Sequence, residues 1–463
     1  MSKSVTPTYD ELATLVVQQQ GVLAEQATAL KLADVRIAQL EAEILRLKNG
    51  GSDGKGGPTA KPDWLKLNKP QVVGPPAPRK PRAQGFTHHR LPPTREVILA
   101  ADTCPDCGRG LSGGWERSRR QVIDLPPVTP IVTDYIVHAR HCGVCHKTVT
   151  PTPDLTEVVV GGQTFGHGVS SLVAYLDTVG RLPVRTISRL LSCLLNLSIS
   201  DGQVVSLLHT VARAGQATYS DLKRKLRASD FVHADETGWR ENGLNGYVWS
   251  FSTPLLRYFV YAKSRAHTVP KDVLGESYFG TIVSDFYGGY NYHFGRHQRC
   301  WVHLWRDVHA LKQKHPSEGV RVWAQKLRDL YDEAKAFTSE DPKARARERV
   351  RLQRETTALA QPYVHACLPQ SVLCKRLLQF ESELYTFVEF PHIPSENNAA
   401  ERSVRPTVIM RKISGGTRSE QGSKTMAVLS SLFGTWQARG EDALAACRQM
   451  LIDSQRTSEP QAA

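Results

Sequence analysis

Apolar residues recur at every seventh position near the start of the chain: Val16, Leu23, Leu30, Ile37 and Ile44. A second seam passes through Ala33, Leu40 and Leu47, with Gln19 and Gln26 in the same register. This heptad pattern predicts a coiled coil over residues 10–48, stopped by the "NGG" at 49–51, and with it a homo-oligomer. The plainer alternative is one amphipathic helix packed on its own protein. The pattern then breaks. Residues 49–98 are a basic Pro/Gly-rich linker ("GGSDGKGGPTAKP", "VGPPAPRKPRAQG"). Residues 99–155 carry two β-like runs, "RQVIDLP" and "PIVTDYIVHAR". Over 160–228 the period becomes helical, with two helices flanking a turn at Ser198 to Gly202 that Ser200 or Asp201 would cap. A helix-turn-helix DNA-binding region and an ordinary helical hairpin both fit that pattern.

From residue 229 the chain reads as an α/β unit. "FVHADET", "GYVWSFST" and "LRYFVYAKS" are β-rich runs that short turns such as "ENGLNG" would join into a meander. A helical stretch near 265–275 leads to a fourth run, "GTIVSDFYGGY", and a fifth, "HQRCWVH". The first part of this unit spans 229–316. Residues 317–390 are a helical insertion, and 391–455 form the last part.

Composition adds a partner and a compartment. The chain has 463 residues, a formal net charge of +14 and no apolar run of membrane-spanning length, and its first residues lack the apolar centre of a signal peptide. These features predict a cytoplasmic protein with no membrane association and a polyanionic partner, of which nucleic acid is the usual kind. Nine cysteines in such a compartment are thiols or metal ligands. Cys104, Cys107, Cys142 and Cys145 form two C-x-x-C pairs separated by the β-like runs, the donor set of a structural zinc in a small ribbon-like module. His146 is a substitute ligand. Cys193 and Cys374 fall on apolar helical faces and are expected in the core.

The acids carry the chemistry. Asp235 is read at the end of the first β run, just before Thr237-Gly238, and Asp285 at the end of the fourth. If those strands are neighbours, the two carboxylates meet, and they repel unless a proton or a cation lies between them. Magnesium takes oxygen ligands and binds substrate phosphate, so metal-assisted phosphodiester chemistry follows in a basic protein. A third acid is sought in "PSENNAAERSVRP". Asn398 as a helix N-cap makes Glu401 either a capping-box residue or a metal ligand, and Glu396 is its rival. Arg402, Arg405, Arg411 and Lys412 crowd the same segment, as a passing phosphate backbone would require. Pro406 predicts a short or kinked helix. Glu236, next to Asp235, points to the other face of the strand.

The blocks "HADETGWR", "SDFYGGY" followed by "CWVH", and "ENNAAERSVRP" followed by "MRK" resemble the signature of the insertion sequence 66 family of bacterial DDE transposases. The resemblance extends upstream through the C-x-x-C pairs and "GRLPVRTISRLL", and covers nearly the whole chain. It implies an RNase H-like mixed sheet with a helical insertion, and Asp235, Asp285 and Glu401 as catalytic ligands of two magnesium (or manganese) ions. It also implies a site role for His303. The activity it implies is cleavage of the terminal inverted repeats of a mobile element and joining to target DNA, with small accessory proteins of the same element as possible partners. Two readings compete with it: a zinc-containing DNA-binding regulator with an inactive catalytic domain, and an RNase H-like nuclease that cuts without joining.

Overall fold

A computed structural model describes residues 90–126 and 128–456. The expected coiled coil and most of the linker lie outside them. Contacts divide the chain into two units that meet between Val122 and Ile123. In the first, Thr103 and Gly110 form an antiparallel bridge around Cys104 and Cys107. In the second, a minimal hairpin of β1 (Arg140–Cys142) and β2 (Lys147–Val149) surrounds Cys142 and Cys145. The two β-like runs between the cysteine pairs do not form strands, except that Arg140 enters β1. Their apolar residues, among them Leu125 and Ile131, are exposed. Alternation makes a strand only where one face has something to pack against, and among the described residues these runs lack that cover.

The helical region consists of α1 (His167–Thr178), α2 (Val184–Leu195), α3 (Asp201–Ala214) and α4 (Gln216–Arg227). Ser200 caps α3 in a full capping box with Gln203. The inner face of α3 (Val204, Leu207, Leu208, Val211) lies in the same core as strand residues Val232, Ala234, Trp249 and Phe251. Cys193 is exposed on α2, contrary to expectation, whereas Cys374 is buried.

The sheet has five strands in the order β5-β4-β3-β6-β7. β3 (Phe231–Glu241), β4 (Leu244–Thr253) and β5 (Leu256–Ala262) are an antiparallel meander. The first hairpin turns at Asn242-Gly243, with φ of 47° and 80°. Positive φ at both central residues is what a tight right-twisted hairpin requires. After α5 (Thr268–Leu274), β6 (Thr281–Ser284) pairs parallel with β3, and β7 (His297–Arg299) pairs parallel with β6. The chain then enters α6 (Trp301–Lys314). The run "HQRCWVH" is thus strand only to Arg299, and His303 lies in the first turn of a helix. The insertion comprises α7 (Glu318–Ala336), α8 (Pro342–Ala360), α9 (Ser371–Gln379), α10 (Glu381–Leu384) and α11 (Thr386–Glu389). With α6 they enclose a second core around Trp301, Trp323 and Tyr385. Then follow α12 (Asn398–Ser414), α13 (Glu420–Ala438) and α14 (Ala443–Arg456). No helix among the described residues is long and apolar enough to cross a membrane.

β3 does not end at Asp235, and Thr237-Gly238 is not a turn: the strand runs on to Glu241, and Asp235 pairs with Ser250 of β4. What ends near Asp235 is the parallel ladder to β6, whose last pair is His233 with Val283.

Candidate active site

Successive β3 side chains alternate between faces. Val232 and Ala234 enter the core shared with α3 and α4, whereas Trp239 packs with Val248, Phe259 and Met426 on the other side. His233 and Asp235 share the parity of Trp239. Val283 is the parallel partner of His233, and Asp285 lies two residues beyond Val283 just as Asp235 lies two beyond His233. The two aspartates therefore occupy equivalent positions past the end of one ladder, Asp235 within β3 and Asp285 one residue beyond the end of β6. Each is fixed locally: Asp235 Oδ1 accepts from the Glu236 amide at 2.9 Å, and Asp285 Oδ1 from the Tyr287 amide at 2.9 Å.

Helix α12 is laid along the same face and pinned at both ends. At its start, Asn397 is buried, donates Nδ2 to the Ala234 carbonyl at 2.7 Å and meets His233 Nδ1 through Oδ1 at 2.8 Å. Because Nδ2 is committed to a carbonyl, Oδ1 must accept, so His233 carries its proton on Nδ1. Burial pushes the His233 imidazole down to about 4, which keeps it neutral. At the other end, Arg411 donates to the Gly238 carbonyl and, at 3.2 Å, to Thr237 Oγ1. Asn397, not Asn398, is the N-cap residue, and its side chain makes no capping bond. The capping-box reading of Glu401 therefore fails. Nor is the helix short, since Pro406 sits inside it.

Glu401 lies four residues, ~6 Å, along α12 from Asn397, its amide donating to the Asn397 carbonyl at 3.2 Å. Its Oε2 accepts from Arg306 at 2.9 Å, and its Oε1 is 3.6 Å from His303 Nε2. Oε1 is buried without a hydrogen-bond partner among the described residues. Asp235 feels the whole group. Burial first, then the charges of Glu236, Asp285 and Glu401, push its carboxyl up to about 7. A site that withholds ionisation from one acid and leaves another acid's oxygen unpartnered is short of positive charge, and oxygen donors of this kind fit a hard divalent cation. Among the described residues, no three His, Cys, Asp or Glu side chains already stand close enough to form a metal cage.

Of the other expected residues, His303 lies beside Glu401, and Arg402, Arg405 and Lys412 are exposed on α12. Arg411 is spent on the β3 backbone. Glu396 influences Tyr331 of the insertion. Glu236 faces away, its side chain almost fully buried, bonded to Arg265 Nε at 2.9 Å and Tyr290 Oη at 2.6 Å. Sequence reasoning did not single out Asn397, Arg306 or Arg299. Arg299 is fully buried and donates to the Asp285 carbonyl at 2.9 Å and Asn291 Oδ1 at 2.7 Å, while Glu383 of the insertion pairs with it at 2.5 Å.

The cysteine pairs form two local turns. The Cys104 amide donates to the Arg109 carbonyl at 2.9 Å, and the Gly108 amide to the Cys104 carbonyl at 2.9 Å. Backbone amides of Asp106 and Cys107 hold the Cys104 thiol below its usual range, and those of Cys145 and Val144 do the same for Cys142. Amides aimed at a sulfur favour thiolate, the metal-binding form.

Comparison with known proteins fits this geometry. Residues 101–146 match the family model described as the zinc-finger binding domain of transposase IS66. An uncharacterized protein, y4jO, of Sinorhizobium fredii (strain NBRC 101917 / NGR234) is 31% identical over 163 residues, which cover 34% of this chain and 48% of that protein. The chain thus spans about half the length of the curated relative it matches. Residues 162–425, from the helical region through the first turns of α13, match the model described as Transposase IS66 family, and the chain therefore belongs to the IS66 family of transposases.

Proposed function

We propose that the chain cuts DNA at the ends of its insertion sequence and joins them to target DNA, with Asp235, Asp285 and Glu401 as the metal-holding acids. The observation that carries this reading is the shared field of the three acids at the end of the β3–β6 ladder, with α12 fixed alongside by Asn397. The strand order, three antiparallel then two parallel, supports an RNase H-like core by analogy. The three carboxylates would hold a pair of magnesium or manganese ions, which when bound activate the attacking oxygen and neutralise charge at phosphorus. The chain's own part is to keep Asp235 and Asp285 in register, to present Glu401 from α12, and to release Glu401 from Arg306. Glu236 stays behind the strand as a brace. Arg405 and Lys412, exposed on α12, face solvent where backbone phosphates would pass. Cys104, Cys107, Cys142 and Cys145 would hold one zinc, and their module with the helical region would recognise the element's terminal inverted repeats.

The test replaces Asp235 by Asn, Asp285 by Asn and Glu401 by Gln, one at a time. Binding of labelled element ends and joining to a plasmid are then measured separately with magnesium. Each variant is expected to bind ends as the parent does and to lose joining by at least ~100-fold, the scale of one electrostatic catalytic group. Joining by Glu401→Gln at the parent rate would remove Glu401 from the site. Nicks without joined product from the parent would make the protein a nuclease.

A further inference from the structure

A cavity of about 340 Å³ lies behind α12, bounded by the end of α1, the start of β5, α12 and α13. Arg181, Arg257 and Arg402 line it beside the apolar walls of Phe259 and Phe433 and the amide of Gln437, and no carboxylate is among its lining residues. Among the described residues, none of the three arginines has an acidic partner. Arg181 Nε is buried with no hydrogen-bond partner. Arg257 Nη1 is anchored on the Leu256 carbonyl at 2.8 Å, which fixes its guanidinium at the wall. Burial, and then the nearby charge of Arg402, pull the Arg257 guanidinium below its usual value, so the cluster is unfavourable as it stands. Arg181 also sits in the left-handed region at φ 56°, an unfavourable conformation for a long side chain.

Three guanidiniums without an acidic partner in one recess call for an anion with several acceptor oxygens, and phosphate matches their forked geometry better than a single carboxylate does. The volume is at the low end of the ~300–1,000 Å³ of ligand pockets, which suits one nucleotide and excludes a duplex. Arg402 follows Glu401 in the chain, so one helix turns an acid toward the candidate catalytic cluster and the next residue toward the recess. We propose that this cavity binds the phosphate of a single nucleotide unit in a DNA strand led past the catalytic acids. The assignment deepens the transposase reading and rests on it for the identity of the strand.

The full-length protein is used without divalent cation, so the result does not depend on catalysis. Thermal midpoints are measured with inorganic phosphate against chloride at equal ionic strength. Binding of a single-stranded oligonucleotide is followed by anisotropy as a function of salt. Arg181→Gln/Arg402→Gln removes two guanidiniums, and Gln437→Glu inserts a carboxylate while keeping all three. Both variants are expected to lose the phosphate-induced rise in midpoint, with affinity about tenfold weaker for each arginine removed. The salt slope of oligonucleotide binding should fall by ~0.7 for the lost phosphate contact. An undiminished phosphate response in both variants overturns the site. A lost response with an unchanged salt slope overturns the strand assignment in favour of free phosphate. Phosphate binding that persists while Asp235→Asn still joins DNA would refute the catalytic triad and leave this site standing.

Discussion

Replacing Asn397 by Ala should damage both stability and joining, because one buried amide fixes the third acid relative to the first. The substitution strands the His233 Nδ1–H and the Ala234 carbonyl, both bonded to Asn397 at 2.8 and 2.7 Å. An unsatisfied buried polar group costs about 1–3 kcal/mol, so the pair amounts to roughly 4 kcal/mol. For a domain of this size each kcal/mol lowers the melting midpoint by ~2–4 °C, which gives a fall of about 8–16 °C. The backbone bond from the Asn397 amide to Cys300 Sγ at 3.1 Å remains, so α12 should loosen at its first turn rather than detach. Differential scanning fluorimetry reads the midpoint, and amide exchange over residues 397–403 reads the loosening. Joining should fall further than end binding, since Glu401 lies on the loosened turn. Asn397→Asp adds a check of direction. Its carboxylate can accept from His233 but donates to Ala234 only when protonated, so its stability should recover as pH falls. A midpoint within 1 °C of the parent for Asn397→Ala would refute the reasoning.

Two further outcomes follow from the same geometry. The folded Asp235 holds its proton up to about 7 against an ordinary carboxyl value of 3.8, so the folded state binds more protons than the unfolded between those values. Metal-free stability should therefore decline as pH rises from about 4 to about 7, by up to ~4 kcal/mol. Urea denaturation across that range should show the decline in the parent and a flatter profile in Asp235→Asn, with magnesium restoring stability above pH 7; equal slopes in both proteins would exclude Asp235 as the cause. Glu383→Gln leaves the fully buried Arg299 without its charged partner, and removing one side of a buried pair costs about 3–5 kcal/mol. Because Arg299 also holds the Asp285 carbonyl, the variant should melt lower and lose joining while still binding DNA ends, and unchanged joining would uncouple the insertion from the site.

The sequence by itself determined the local elements and the chemical types. Runs rich in β-branched and aromatic residues within 231–262 mark three strands that are packed on both faces, and the Asn242-Gly243 turn follows from residues that tolerate positive φ. The C-x-x-C turns, the Ser200 cap and the acids themselves are local facts, readable from neighbours in the chain. The tertiary structure decided which acids share a field. Asp235 lies at an edge because its parallel partner strand stops there, not because its own strand does, and pairing between residues some fifty positions apart leaves no local mark. Asn397, Arg306 and Arg299 were silent in the sequence for the same reason: each acts on a residue from a distant segment, and a lone polar side chain announces neither its burial nor its partner. The runs at 120–126 and 130–140 show the converse. They carry a strand's pattern, yet a pattern specifies a strand only when the fold supplies a surface to cover it.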